Sequence, residues 1–160
     1  MRLRAPGWLC LAVLVLLGTA CEQPRAEPVI DQLGSAFGRG PTGAFPDRAA
    51  ISALADQVAA GGPNRRRPNG PLATKIRAVD ADTAFVYGLG FDGCSQVNPR
   101  LTVQSRTALV AAVDDLNRQC VQAMPQTAYF AVSWDGLADS FTIEGPGKAG
   151  TVHIRDRTVR

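Results

Sequence analysis

The start of the chain limits which residues are available to fold and in which compartment they do so. Arg2 and Arg4 give a basic beginning, the run from Trp8 to Leu17 is almost entirely apolar, and small residues at positions 18–20 lead to Cys21. This order is typical of a secretory signal. The apolar run is shorter than the roughly 20 residues that a transmembrane helix needs. We therefore expect residues 1–20 to be a signal peptide that is removed, and the rest of the chain to be exported.

The residues just before Cys21 predict a lipid anchor. The stretch from Leu17 to Cys21 reads LGTAC and resembles the lipobox of bacterial lipoproteins, although that family prefers Leu, Val or Ile where Gly18 stands. The resemblance covers only the signal. It implies that Cys21 carries lipid and holds the mature protein on the cell membrane or the outer membrane. The same small residues would equally suit the ordinary signal peptidase, which would release a soluble periplasmic or secreted protein.

The cysteine count bears on the same question. Of the four cysteines, Cys10 lies in the apolar run and leaves with the signal, so three remain. An odd cysteine in an exported protein calls for an explanation. If Cys21 carries lipid, Cys94 and Cys120 can pair in an oxidising compartment. We predict this disulfide; the alternative is that Cys94 and Cys120 are buried thiols.

The charge balance bears on the class of partner. The chain has 17 basic and 14 acidic residues and a net charge of +3. Because the signal holds Arg2 and Arg4 and no acidic residue, the mature chain keeps 15 basic residues and a net charge of +1. A nearly neutral chain gives no reason to expect nucleic acid as a partner. Its length suits one modest domain.

Composition divides the mature chain into three predicted parts. Residues 21–44 are poor in large apolar side chains and rich in Pro and Gly, which predicts a flexible tether. Residues 45–71 combine a short helix, ending near Ala60, with a linker rich in Pro, Gly and Arg. Arg65, Arg66 and Arg67 in this linker could contact an anionic lipid or polymer, but a solvated loop is the simpler interpretation. Residues 72–160 are expected to form the main domain.

Apolar periodicity predicts an α+β fold for that domain. Alternation of large apolar with small or polar residues predicts strands over residues 72–79, 83–91, 127–134, 138–144 and 151–156. A helix is expected over residues 105–122. Its apolar positions recur at spacings of four, three and four: Leu109, Val113, Leu116 and Cys120. The expected order is β-β-α-β-β-β, with an antiparallel sheet of about five strands, this helix across one face and the disulfide joining helix to sheet.

The stretch from Gly88 to Gly93 matches G-x-G-x-x-G, a pattern found at dinucleotide sites. Binding a pyrophosphate requires a helix that begins at the glycines. The residues that follow, up to Asn98 and Pro99, predict a loop instead. We therefore expect no nucleotide cofactor, and we interpret the glycines as positions where another layer approaches the strand closely.

No residue pattern marks out a catalytic or metal centre. His153 is the only histidine, and with two cysteines that are expected to be paired it cannot supply a zinc site. A catalytic triad would have to use His153, and no serine lies in a G-x-S-x-G elbow. We accordingly expect no cofactor, no metal site and no catalytic residue.

One strand face is a candidate partner surface. Trp134 shares a face with Phe130 and is expected in the core. Tyr129 lies on the opposite face, where together with His153 and Arg155 it could form an open sheet surface. The sequence thus favours a non-catalytic, membrane-anchored envelope protein that binds another protein or a small envelope ligand. A small hydrolase and an inhibitor or immunity-type protein are the alternatives.

Overall fold

The computed structural model of the chain describes residues 26–61, 68–146, 150–153 and 158–159. The predicted signal peptide, Cys21, the arginines at positions 65–67 and Arg155 lie outside these residues. Within them the fold is α+β, as expected. In chain order the described elements are β1 (Ile30–Phe37), β2 (Gly43–Phe45), α1 (Arg48–Ala60), α2 (Gly70–Arg77), β3 (Ala84–Asp92), β4 (Gln96–Ser105), β5 (Ala108–Asp115), β6 (Pro125–Ser133), β7 (Ser140–Glu144), β8 (Gly150–His153) and β9 (Thr158–Val159).

The described strands form two sheets rather than the single sheet that was predicted. The four-stranded sheet has the order β1-β6-β3-β2, and every pair of adjacent strands in it is antiparallel. The five-stranded sheet has the order β4-β5-β7-β8-β9, in which β5 and β7 are parallel and the other pairs antiparallel. Strands β3, β6, β7 and β8 overlap the predicted strands, although the boundaries differ by one to three residues.

The two sheets and the helices form three layers around two hydrophobic cores. One core lies between the sheets and includes Phe85, Phe130 and Phe141. The other lies between the helices and the four-stranded sheet and includes Ile51 and Val86. Phe85 and Val86 enter different cores because successive side chains of a strand point to opposite faces. Each fully buried large apolar side chain contributes roughly 1.5–3 kcal/mol.

Helix α1 confirms the prediction made from its sequence pattern. Asp47 is its N-cap, and the Asp47 carboxylate accepts a hydrogen bond of 2.8 Å from the backbone N–H of Ala50. The apolar stripe of Ile51, Leu54 and Val58 is buried. This helix therefore closes one side of the core instead of packing loosely beside it.

The predicted strand over residues 72–79 is wrong, because this segment forms helix α2. Asn69 is the N-cap and accepts a hydrogen bond of 3.1 Å from the N–H of Leu72. Leu72 and Ile76 are four residues apart, a spacing that places two side chains on one face of either a strand or a helix. The helix is favoured because it buries Leu72 and Ile76 together against α1 and the four-stranded sheet.

The predicted helix over residues 105–122 is also wrong. This segment contains the end of β4, a two-residue turn, strand β5 and an irregular segment at 116–124. Leu109 and Val113 are four apart, but the buried positions of β5 are Leu109 and Ala111, which are two apart. Pairing of β5 with β4 and β7 supplies the hydrogen bonds that a helix would otherwise have made internally.

The prediction of a flexible tether over residues 21–44 is wrong for the part of this range that forms strands. Residues 30–37 form β1 and pair along β6, and residues 43–45 form β2 and pair with β3. Strand β1 lies at the edge of the four-stranded sheet. Its Ala36 is buried, and Ile30 and Leu33 are partly buried against the cores. Among the described residues, no helix has the length and apolar content required to cross a membrane.

Candidate functional site

Tyr129, one of the three residues of the predicted partner surface, does not lie on an open surface. Tyr129 is on the face opposite Phe130, as expected, but its side chain is 0% exposed. The reason is that α1 and α2 cover this face, and one of those helices was expected to be a strand. His153 lies in β8 of the other sheet, so the structure does not bring it together with Tyr129. Arg155 is outside the described residues.

Trp134 occupies the core position that was predicted for it. Its ring centroid lies 4.7 Å from that of Phe85 and 6.5 Å from that of Phe141. The indole N–H donates a hydrogen bond of 3.2 Å to the carbonyl oxygen of Ala81. The half-buried indole thus closes the end of the core between the sheets with its polar atom satisfied.

A cleft of about 510 Å³ lies at one end of the four-stranded sheet. Its lining residues come from three segments that are far apart in the chain: the loop after β1, the end of β3, and residues 123–127 at the start of β6. This volume is within the roughly 300–1,000 Å³ of small-molecule sites. We take this cleft as the candidate functional site.

Glycines form one wall of the cleft by allowing the loop after β1 to lie directly on the sheet. A side chain at Gly88 would come within 2.6 Å of the carbonyl oxygen of Pro41, and one at Gly40 would overlap the Tyr129 hydroxyl. The N–H of Gly40 also donates a hydrogen bond of 2.9 Å to the Thr127 hydroxyl, which is buried. The sequence-based interpretation of Gly88 as a position of close approach is confirmed.

A disulfide closes the other side of this end of the molecule. Cys94 and Cys120 are bonded, with their Cα atoms 6.2 Å apart, which confirms the predicted pairing. The bond joins the turn after β3 to the segment 116–124 that follows β5, and not a helix to a sheet as expected. Backbone hydrogen bonds join the same two segments, from Gly93 N–H to the Met124 carbonyl and from Leu116 N–H to the Ser95 carbonyl, each 2.8 Å long.

Asp92 adds a charged link between these segments at the edge of the cleft. Its Oδ1 accepts hydrogen bonds from the N–H groups of Cys94, at 3.0 Å, and Met124, at 2.8 Å. These two bonds, together with one from the Ser95 side chain, lower the pKa of Asp92. The carboxylate therefore stays ionised at neutral pH, and its hydrogen bonds join the turn after β3 to the segment before β6.

Arg39 differs from the paired cations of the molecule. It is exposed, lines the cleft, and makes no ion pair with a described residue. The three ion pairs among the described residues are Arg48–Asp80, Arg77–Asp56 and Arg100–Asp114. In the last of these, hydrogen bonds from Arg100 and then Asn98 lower the pKa of Asp114.

The segment 116–124 exposes apolar side chains next to the cleft. Leu116 and Met124 are about two-fifths exposed, and Val121 is fully exposed. Ala123 of the same segment lines the cleft. The disulfide of Cys120 ties the backbone that carries these apolar groups to the turn after β3.

Sequence reasoning missed most of the cleft. Arg39 and Thr42 were placed in a tether, and Gln126 was given no role, because the pocket exists only where three distant segments meet. The described residues include no group of three or more His, Cys, Asp or Glu side chains arranged to hold a metal ion. The chain matches no known protein-family model, no curated protein and no solved structure. The features that define its class are thus a three-layer α+β fold and a disulfide-braced cleft.

Proposed function

We propose that this protein is an exported, non-catalytic binding protein of the bacterial cell envelope, anchored to a membrane through lipid on Cys21. The cleft at the Asp92 end of the four-stranded sheet is its binding site. The observation that carries this proposal is the disulfide between Cys94 and Cys120. Disulfides persist in oxidising compartments and are rare in the cytoplasm.

The same bond bears on the lipid anchor. If residues 1–20 are removed, three cysteines remain, and pairing of Cys94 with Cys120 makes Cys21 the odd one. An acyl group on Cys21 would account for that odd cysteine. This supports the lipobox resemblance over release by the ordinary signal peptidase.

The position of the cleft relative to the anchor suits a ligand that is met outside the bilayer. The chain enters the fold beside Ser133, to which the N–H of Val29 donates a hydrogen bond. The cleft lies at the Pro125 end of the same strand. Nine residues of β6 separate the two ends by about 27 Å. Since only five peptide bonds join Cys21 to Ala26, a reach of at most about 18 Å, the cleft would lie at the end of the strand that is farther from the anchor.

Radiolabelled palmitate tests the anchor. Cells that express the wild-type protein should incorporate label into it, and the protein should fractionate with membranes. Cys21→Ser should abolish both, whereas Cys10→Ser, which alters a cysteine inside the predicted signal, should leave both intact. An unlabelled wild-type protein found in the cytoplasm would refute the proposal, while an unlabelled protein in the periplasm would refute only the anchor.

A further inference from the structure

We propose that the cleft binds a small organic monocarboxylate that carries an apolar portion, and that the guanidinium of Arg39 holds the carboxylate. This inference deepens the proposed function and rests on its assignment of the cleft as the binding site. Three features of the lining support it: a cation with no ion-pair partner in the described part of the chain, apolar surface, and a negative charge that selects against highly charged ligands.

The cation is Arg39. A guanidinium presents N–H donors in a planar fork that matches the two oxygens of a carboxylate. Arg39 lines the cleft and has no ion-pair partner among the described residues, whereas Arg100 forms an ion pair with Asp114. Thr42, which carries a hydroxyl, and Gln126, which carries an amide, line the same space. These groups add hydrogen-bonding capacity beside the cation.

The apolar surface comes from the residues that flank these polar groups. Phe91 and Pro125 line the cleft, and Ala123 belongs to the segment that also exposes Val121 and Met124. Gly90 also lines the cleft, and the methyl group of Thr42 lies close to its backbone, 3.1 Å from where a Cβ would stand. A ligand with a short hydrocarbon portion could therefore bury it here while its carboxylate stays with Arg39.

The negative charge of Asp92 disfavours ligands that carry more than one negative charge. Asp92 lines the cleft, and its carboxylate accepts hydrogen bonds from the N–H groups of Cys94 and Met124, which hold it in its ionised form. One cation and one fixed anion leave the cleft near neutrality. A phosphate dianion or a tricarboxylate would gain one favourable interaction and bring surplus charge next to Asp92. A monocarboxylate brings the one charge that Arg39 can neutralise.

Isothermal titration calorimetry on the purified full chain in detergent, with its disulfide intact, tests this proposal. The probes are hexanoate, its neutral amide hexanamide, N-acetyl-alanyl-alanine with a free carboxylate, the same peptide as its amide, inorganic phosphate and citrate. We expect hexanoate or the acidic peptide to bind at least about tenfold more tightly than its own amide, because the charge-assisted bonds to Arg39 are lost. The stronger of the two acids identifies a fatty acid or a peptide end as the source of the carboxylate.

Matched variants complete the test. Arg39→Gln should weaken binding of the preferred acid at least about tenfold, and because Arg39 is exposed this variant should unfold at the wild-type temperature. Arg118→Gln makes the same change of charge on the segment beside the cleft and should bind as the wild type does. Equal binding of acid and amide, unchanged binding by Arg39→Gln, or tighter binding of phosphate or citrate would overturn the inference. None of these outcomes alters palmitate labelling of Cys21, so the two proposals fail separately.

Discussion

The carboxylate of Asp92 lies 2.8 Å from the backbone N–H of Met124, a residue 32 positions later in the chain. Asp92 ends β3 and Met124 precedes β6, so this bond fixes the edge of the cleft at the point where two neighbouring strands meet. The Cys94–Cys120 disulfide lies in the same two segments. A charge-assisted bond and a covalent bond thus hold one loop pair, and each can be removed without the other.

The first prediction concerns acid stability. Because hydrogen bonds from Cys94 and Met124 lower the pKa of Asp92 from its ordinary value of 3.8, the ionised form is favoured in the folded state. Asp92 therefore contributes stability above the unfolded-state pKa, and this contribution is lost as the pH falls through the folded-state pKa. Asp92→Asn should lower the free energy of unfolding at pH 7, and the deficit should shrink below about pH 4. Urea unfolding of the variant and the wild type at pH 7 and at pH 2 measures this difference in the free energy of unfolding.

The control for that experiment is Asp31→Asn, which changes an exposed aspartate on the edge strand β1. This variant should unfold close to the wild type at pH 7. A deficit for Asp92→Asn that is the same at pH 7 and at pH 2 would show that shape, and not charge, explains the loss.

The second prediction concerns the disulfide. Cys94 and Cys120 are 26 positions apart, and closing a loop of that length stabilises a fold by roughly 3 to 4 kcal/mol in the chain-entropy model. The double variant Cys94→Ser/Cys120→Ser should lose about that much free energy of unfolding, measured by urea titration without reductant. Reductant should destabilise the wild type by a similar amount and leave the double variant unchanged. Sensitivity of the double variant to reductant would contradict the pairing.

The third prediction concerns the contact between β3 and the loop after β1. A methyl group at Gly88 would approach the Pro41 carbonyl oxygen to 2.6 Å, so Gly88→Ala should destabilise the protein by about 1–3 kcal/mol. Gly70→Ala is the matched control, because no atom lies within 4 Å of the added methyl at the first residue of α2. The control should be neutral or slightly stabilising. Equal melting temperatures for both variants would mean that the loop does not lie on Gly88.

The fourth prediction concerns the aromatic group between the sheets. Phe85 is fully buried and contacts both Trp134 and Phe141. Phe85→Ala should cost about 3–5 kcal/mol in the free energy of unfolding. It should also shift Trp134 emission to longer wavelength, because water would reach the indole. Of the two tryptophans of the chain, Trp8 lies in the predicted signal peptide, so the exported protein reports on Trp134 alone. Val29→Ala, at a position 60% exposed, should change neither quantity.

Local sequence was informative where one pattern fits only one kind of structure. The alternation in β3 continues from Phe85 to Phe91, and alternation of that length is not helical, so the strand was predicted correctly. Helix α1 was predicted correctly because Asp47 and Gly61 are typical of helix ends, and because its apolar residues recur on one face. Leu72 with Ile76, and Leu109 with Val113, were misassigned because a spacing of four residues fits both structures.

The sequence by itself predicted the pairing of Cys94 with Cys120, the α+β class of the fold, and the close approach of another layer to the glycines of β3. Each of these depends on the chemistry of a few named residues or on a long local pattern. Only the tertiary structure decided that β1 belongs to the domain, that helices bury Tyr129, and that Arg39 comes to the cleft beside Asp92 and Gln126. Those outcomes depend on hydrogen bonds and burial between segments that are distant in the chain, and no local pattern encodes which distant segment will supply them.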